Sequence, residues 1–433
     1  MNADVRAIKT PAEQALNATF AAARASLPGK EAVAKLRQSA FERFDAAGLP
    51  HRRIEEWKYT DLRALMRDAK PLAEPAGAKG TIPPLAGVDA NIVAVVNGRY
   101  EAGLSNFKGD ANVEIAELFD FAGRQSGYRF GEGPGNDDIA VSLNTAFMTG
   151  GVAVRVNKAA AAGKPLHIAH VFSGKTAAAM YPRLVVIVEP GARLTLVESF
   201  SGPGGVDYQV NSALELAIGE GARIDHVRIG QDGNAALRIS TMSVTVGAKA
   251  TYNDFTFTIG GAVVRNQMFV RFGGEGTHAS IGGATLIKHR QHVDNTLVIN
   301  HAAGGCESRE RFRTVLDNES HGVFQGKIIV EPHAQKTDAK MASHALLLSD
   351  AAEADNKPEL EIFADDVQCG HGATAGALDR GLKFYLMSRG ISEKESEALL
   401  IQAFVGEVME QLADEKIREL LMGAAIEWLE TRG

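Results

Sequence analysis

From about residue 90 to residue 368 the chain alternates apolar and polar positions over short stretches interrupted by glycine. IVAVV (92–96), VAVRV (152–156), RLVVIV (183–188), ARLTLVESF (192–200) and TYNDFTFTI (251–259) are rich in β-branched residues and repeat with period two. That pattern predicts strands. Most of these stretches have no helix-period segment of useful length between them, which argues against a doubly wound α/β fold. Gly-Ala-Arg-Leu begins at Gly191, Gly-Ala-Arg-Ile at Gly221, Gly-Ala-Lys-Ala at Gly247 and Gly-Thr-His-Ala at Gly276. A turn-then-strand unit recurring at such even spacing favours a solenoid of stacked coils, with glycine at the tight corner, over a plain antiparallel sandwich with similar hairpins.

The flanks read differently. Residues 11–47 carry the Ala, Leu, Glu and Gln of two helices, broken at Pro28-Gly29 and ended by Gly48 and Pro50. A charged segment around Trp57 and Tyr59 follows, and then a Pro/Ala/Gly-rich linker over 70–85. Near the other end, Ser392 and Glu395 form a capping-box signature ahead of a helix that places Ile401, Phe404, Val405, Val408 and Leu412 on one face. A further helix from Glu415 to Leu429 carries Ile417, Leu420, Leu421, Ala424 and Trp428. Helices this apolar either cap an open solenoid end or dock a partner, and spacing alone leaves both readings open.

Composition narrows the function classes. The 433 residues suffice for about three domains' worth of core, so folding needs neither disulfides nor a structural metal. A net charge of −7 argues against a general nucleic-acid binder, and two cysteines fit a reducing compartment. No apolar run is long enough to span a membrane, and the first ten residues lack the layout of a secretory signal, so a cytoplasmic protein is expected.

Candidate chemistry is sparse. Gly174-Lys175-Thr176 mimics the end of a phosphate-binding loop, but Ala169 stands where its first glycine belongs, so an ATP site is not expected. No flavin site and no hydrolase triad is recognisable. His167 and His170, like His289 and His292, are three apart in strand-like sequence and point to opposite faces. Arg309, Arg311 and Arg313 would lower the Cys306 pKa if close, but strand alternation makes them a solvated basic face. The exception is FADDVQCGHGAT (363–374): in extended chain Cys369 and His371 share one face, with Gly370 and Gly372 allowing another surface to approach. Asp365 and Asp366 are placed to hydrogen-bond the imidazole. Thiolate and imidazole together suit a soft metal, an iron–sulfur cluster or a sulfur-relay step, but two ligands cannot close a tetrahedral site.

RRIEEWKYTDL (52–62), residues 300–349, DNKPELEIFADDVQCGHGATAG (355–376) and LKFYLMSRGIS (382–392) together resemble the SufB/SufD family of iron–sulfur cluster assembly proteins. The resemblance places the chain on the branch that lacks the additional core cysteine that receives sulfur. It implies a mainly β fold: a right-handed parallel β-helix core (86–375) flanked by an N-terminal helical domain and linker (1–85) and a C-terminal helical domain (376–433). It implies a non-catalytic scaffold working with a SufB-like homologue and a SufC-like ABC ATPase, or forming a homodimer when alone, without nucleic acid or membrane. Phe404, Val408, Leu412, Ile417 and Leu420 would then dock the ATPase. His371 and Cys369 would hold iron or a nascent, transient cluster at the interface with the SufB-like chain, and ATP hydrolysis on the ATPase would open that interface. Two alternatives remain: a purely structural partner of SufB without a metal role, and a β-helix enzyme acting on polysaccharide.

Overall fold

A computed structural model describes residues 9–76, 82–124 and 130–432. The linker predicted over 70–85 therefore lies partly outside the described residues.

The core is a parallel β-solenoid of two sheets. Each coil contributes one strand to each sheet. The first sheet runs from Asn91–Val96 through Leu166–Val171, Arg193–Ser201, Arg223–Gln231, Thr251–Thr258, His278–Ile287, Glu307–Leu316 and Asp338–Leu347 to Gln368–Gly376. The second runs from Gly150–Val156 through Pro182–Val188, Gln209–Ile218, Leu237–Val246, Val263–Phe272, His292–His301 and His321–Val330 to Glu353–Ile362. Equivalent positions stack in register: Leu194 pairs with Ile224, and Ile224 with Tyr252. The long pairings are parallel, which excludes the sandwich. The antiparallel pairs are short strands at the first coil, Arg99–Tyr100 on one sheet and Val113–Glu117 on the other.

The expected glycine corner is present with one correction. Gly191, Gly221, Gly276 and Gly305 have φ of 71°, 63°, 69° and 66°, the left-handed conformation that a side chain disfavours. Each donates its N–H to the next coil, Gly191 to Glu220 and Gly221 to Ala248. In the third coil this corner is Lys249 (φ 54°), not Gly247, and Lys336 (φ 63°) fills it later. The Gly-Ala-Lys-Ala match was therefore two residues out of phase with the coil.

Inside the coils, inward-facing residues such as Leu194, Ile224, Tyr252, Ile281, Phe312 and Met341 pack into one continuous apolar core. The same inward phase also carries charge. His226 sits between Glu198 (3.0 Å) and Asp254 (3.0 Å), and Glu198 also meets His170 (3.1 Å). Burial disfavours the Glu198 carboxylate, but hydrogen bonds from both histidines outweigh it and hold the pKa well below the usual range.

The two outer faces are covered by helices. Pro11–Ala23 and Glu31–Ala47 pack on the second sheet through Phe20 and Phe44, joined by Ile139–Phe147 and by Trp57 of the following segment. The helix Ile139–Phe147 has Ala140 to Phe147 all buried, and it is hidden in the sequence because it is short and lies inside the strand-rich stretch. On the other side, Glu393–Met409 and Glu415–Glu430 bury Ile401, Val405, Val408, Met409, Leu412, Ile417 and Leu421 against outward residues of the first sheet, among them Val227, Phe255, Phe257 and Leu286. They neither cap the solenoid nor stand free: they line its flank. No helix among the described residues is long and apolar enough to cross a membrane.

Candidate functional site

Cys369 and His371 lie on Gln368–Gly376, the last strand of the first sheet, which pairs along only one edge. Cys369 is in register with Ala339 and His371 with Met341. Both of those residues are buried in the interior, so the thiol and imidazole continue the inward-facing column where no further coil covers it. The two side chains therefore share a face, as the spacing predicted. Cys369 is half-buried against the apolar column, while His371 is exposed. Together with Lys340, Met341, Gln368 and Gly370 they line a shallow depression open to the outside. Burial pushes the Cys369 thiol pKa up, and the Asp338 and Glu310 carboxylates add to the effect. In this chain alone the group is a thiol, so a positive partner or a metal is needed to make it a thiolate.

The surroundings correct one expectation and strengthen another. Asp366 pairs with Lys336 and donates its backbone N–H to Gln335 Oε1, so it does not orient His371. Asp365 is exposed at the preceding turn, and among the described residues the imidazole has no hydrogen-bond partner. A Cβ added at Gly370, Gly372 or Gly376 would meet nothing within 4 Å. These glycines are not required by packing inside the chain, and they keep the outermost strand bare.

Other sequence candidates resolve into structure. Cys306 is fully buried and its thiol donates to the Gly274 carbonyl at 3.4 Å; burial raises its pKa. Arg309 and Arg313 form the predicted basic face but are paired, with Asp338 (2.7 Å) and Glu407 (2.6 Å). His167 bonds Ser199 and His170 bonds Glu198, on opposite faces of one strand. Gly174-Lys175-Thr176 lies in a loop before the short strand Ala179–Met180, with no helix to receive a phosphate.

The expected docking residues are also redirected. Val408, Leu412 and Ile417 are buried against the first sheet, Leu420 is half-buried in the same cluster, and Phe404 lies beneath the Arg313 guanidinium at 4.7 Å. The face they form is spent within the chain. The exposed apolar surface is instead on Arg380–Ser388, which buries none of its residues and presents Leu382, Phe384 (73% exposed), Tyr385 and Met387. Sequence reasoning missed it because the longer helix Glu393–Met409 follows directly, and only the packing shows that the apolar side chains of the short helix stay exposed.

RRIEEWKYTDL docks on the second sheet. Trp57 is buried beneath the Arg265 guanidinium, 4.0 Å from the ring centre, and Glu55 pairs with Lys357. Thr60 donates to Asp294, which also pairs with Arg265. The motif is thus an internal fastening between the N-terminal segment and the later coils.

The solenoid thus ends on an uncovered strand that carries a thiol and an imidazole on one face. Comparison with known proteins gives the family. The family described as "SUF system FeS cluster assembly, SufBD core domain" matches residues 170–404, and "SufBD protein N-terminal region" matches 11–72. The chain belongs to the SufBD family. It is 28% identical to the iron–sulfur cluster assembly protein SufD of Escherichia coli, over 87% of this chain and 88% of that protein. A SufBD family protein of Mycobacterium leprae is 30% identical, over 88% of this chain and 90% of the relative. One from Synechocystis is 29% identical, over 87% and 86%. This family membership displaces the polysaccharide-enzyme reading.

Proposed function

We propose that the chain is the SufD-type, non-catalytic subunit of a cytoplasmic iron–sulfur cluster assembly complex. Its bare solenoid end meets a SufB-like homologue, and when that homologue is missing a second copy of this chain takes its place. His371, with Cys369 beside it, holds iron or the nascent cluster as cargo, and the partner's side chains complete the coordination. ATP is hydrolysed on a SufC-like subunit anchored through the C-terminal helical region. The exposed Leu382, Phe384, Tyr385 and Met387 supply the apolar surface for that anchoring, since Val408, Leu412 and Ile417 are already buried.

One observation carries this reading. The thiol and imidazole continue an inward-facing column on the outermost strand, which leaves the next rung open to another polypeptide. A cationic metal also supplies what the raised thiol pKa lacks, by stabilising the thiolate. His371 is exposed, so His371→Ala should leave the fold and ATPase-subunit binding intact. Cluster assembly by the reconstituted complex, followed by its visible absorption, should be lost. Full cluster yield from that variant would refute the role and leave a structural partner of SufB.

A further inference from the structure

A second group of metal-ligating side chains lies on the outer face of the other sheet, away from Cys369 and His371. His321 begins His321–Val330, and Glu353 and Asp355 lie on the neighbouring edge strand Glu353–Ile362. One donor atom from each of the three lies within 4.8 Å of the others. His292, His321 and Glu353 stand in register on three successive coils, so the stacking itself builds the cluster.

The hydrogen bonds behind it set which His321 nitrogen is free. Thr60 donates its hydroxyl proton to the Asp294 carboxylate, so Thr60 Oγ1 can only accept from His292 Nε2, 2.9 Å away. Buried His292 brings its Nδ1 to 3.1 Å from His321 Nδ1, so that nitrogen of His321 is engaged. His321 Nε2 faces Asp355 Oδ2, 2.8 Å away, a contact that a proton on the imidazole satisfies. A proton would neutralise one charge, but two carboxylates converge here, and among the described residues Glu353 has no cationic partner. A dication matches the charge. The relay from Asp294 through Thr60 and His292 has the form of the outer hydrogen bonds that fix a ligating histidine.

We propose that His321, Glu353 and Asp355 bind a divalent first-row transition cation, with Thr60 and His292 as positioning residues. One imidazole nitrogen and two carboxylate oxygens suit Zn²⁺, Fe²⁺ or Co²⁺ better than a hard cation needing six oxygens, and leave a coordination position open. The site would tie the last coil to the one before it and to the N-terminal fastening. It does not depend on the function proposed above.

Calorimetric titration with Zn²⁺ tests this on the full chain carrying Cys369→Ser and His371→Ala, so that heat from the solenoid end is removed. One equivalent should bind, and Co²⁺ should give the visible absorption of a mixed nitrogen–oxygen site. Glu353 is exposed, so Glu353→Gln should fold normally, as circular dichroism checks, and lose binding; Asp355→Asn should do the same. Thr60→Val should weaken affinity about 10- to 100-fold while keeping the stoichiometry. Absence of Zn²⁺ binding, or equal affinity in Glu353→Gln, would overturn the proposal.

Discussion

The two ends of the solenoid are made from the same coil and finished differently. At the first coil, Arg99–Tyr100 and Val113–Glu117 turn antiparallel against the outermost strands, and the helix Leu118–Arg124 packs Phe121 over Ala153 and Val185. Short antiparallel strands and a covering helix blunt a sheet edge. At the last coil, Glu353–Ile362 and Gln368–Gly376 run their full length with no such device, beside exposed Ile362 and Phe363 (62% exposed). The first coil's edges are covered, whereas the last coil's are blunted only by Pro358 and the charged side chains along Glu353–Ile362. The thiol and imidazole sit on the second kind of end.

The largest expected effect lies in the helical cover on the outer face of the second sheet, next to the first coils. Phe147 is fully buried, stacked on Tyr181 (ring centres 5.0 Å apart) and edge-on to Phe20 (5.6 Å). Phe147→Ala should destabilise the chain by about 3–5 kcal/mol, read from chemical denaturation. A loss below about 1 kcal/mol would mean that the helical cover contributes little to this face.

Next comes Glu310, inside the solenoid two coils below the bare end, in the column that continues through Met341 to His371. It is fully buried with both carboxylate oxygens unpartnered, and burial pushes its pKa up to about 8. The folded state therefore binds a proton that the unfolded state releases near its ordinary value of about 4.3. That contribution is complete below the unfolded pKa and is lost as pH rises through about 8. Glu310→Gln removes the loss, so it should be more stable than the parent by a few kcal/mol at pH 8.5, with little difference at pH 4. Urea denaturation at the two pH values checks this; a gap that does not change with pH would contradict it.

The smallest expected effect on the fold, and the sharpest test of the comparison, is at the bare edge. Gln368 donates its N–H to Thr337, so by alternation the N–H groups of His371 and Ala373 face outward. Ala373→Pro removes an outward donor without breaking the chain's own ladder. Its unfolding free energy should change by no more than about 0.5 kcal/mol, while co-purification with a SufB-like homologue should fail. Undiminished association would show that the partner does not pair along this edge.

Much of this architecture was legible before any coordinates. The alternation over 90–368 and the glycine corners at 191, 221 and 276 announced the coils, because a left-handed corner favours a residue without a Cβ. Gly247 misled because Lys249 holds the equivalent corner. The pair at 369 and 371 was legible for a simple reason: in a strand, side chains two apart share a face whatever surrounds them. His321, Glu353 and Asp355 were not, since they meet only through stacking. The spacing of His292 and His321 by 29 residues was the one hint, being the length of a coil.

Local chemistry along the chain thus settled the strands, their corners, the helical flanks and the thiol–imidazole pair, all of which depend on neighbours within a few residues. Packing decided the rest. An apolar helical face looks the same whether it covers its own sheet or waits for a partner. Only the stacked coils show that Val408, Leu412 and Ile417 are occupied and that Phe384 is free. Which solenoid end is bare is a property of the last strand having no successor in space, and a linear pattern of residues does not carry that information.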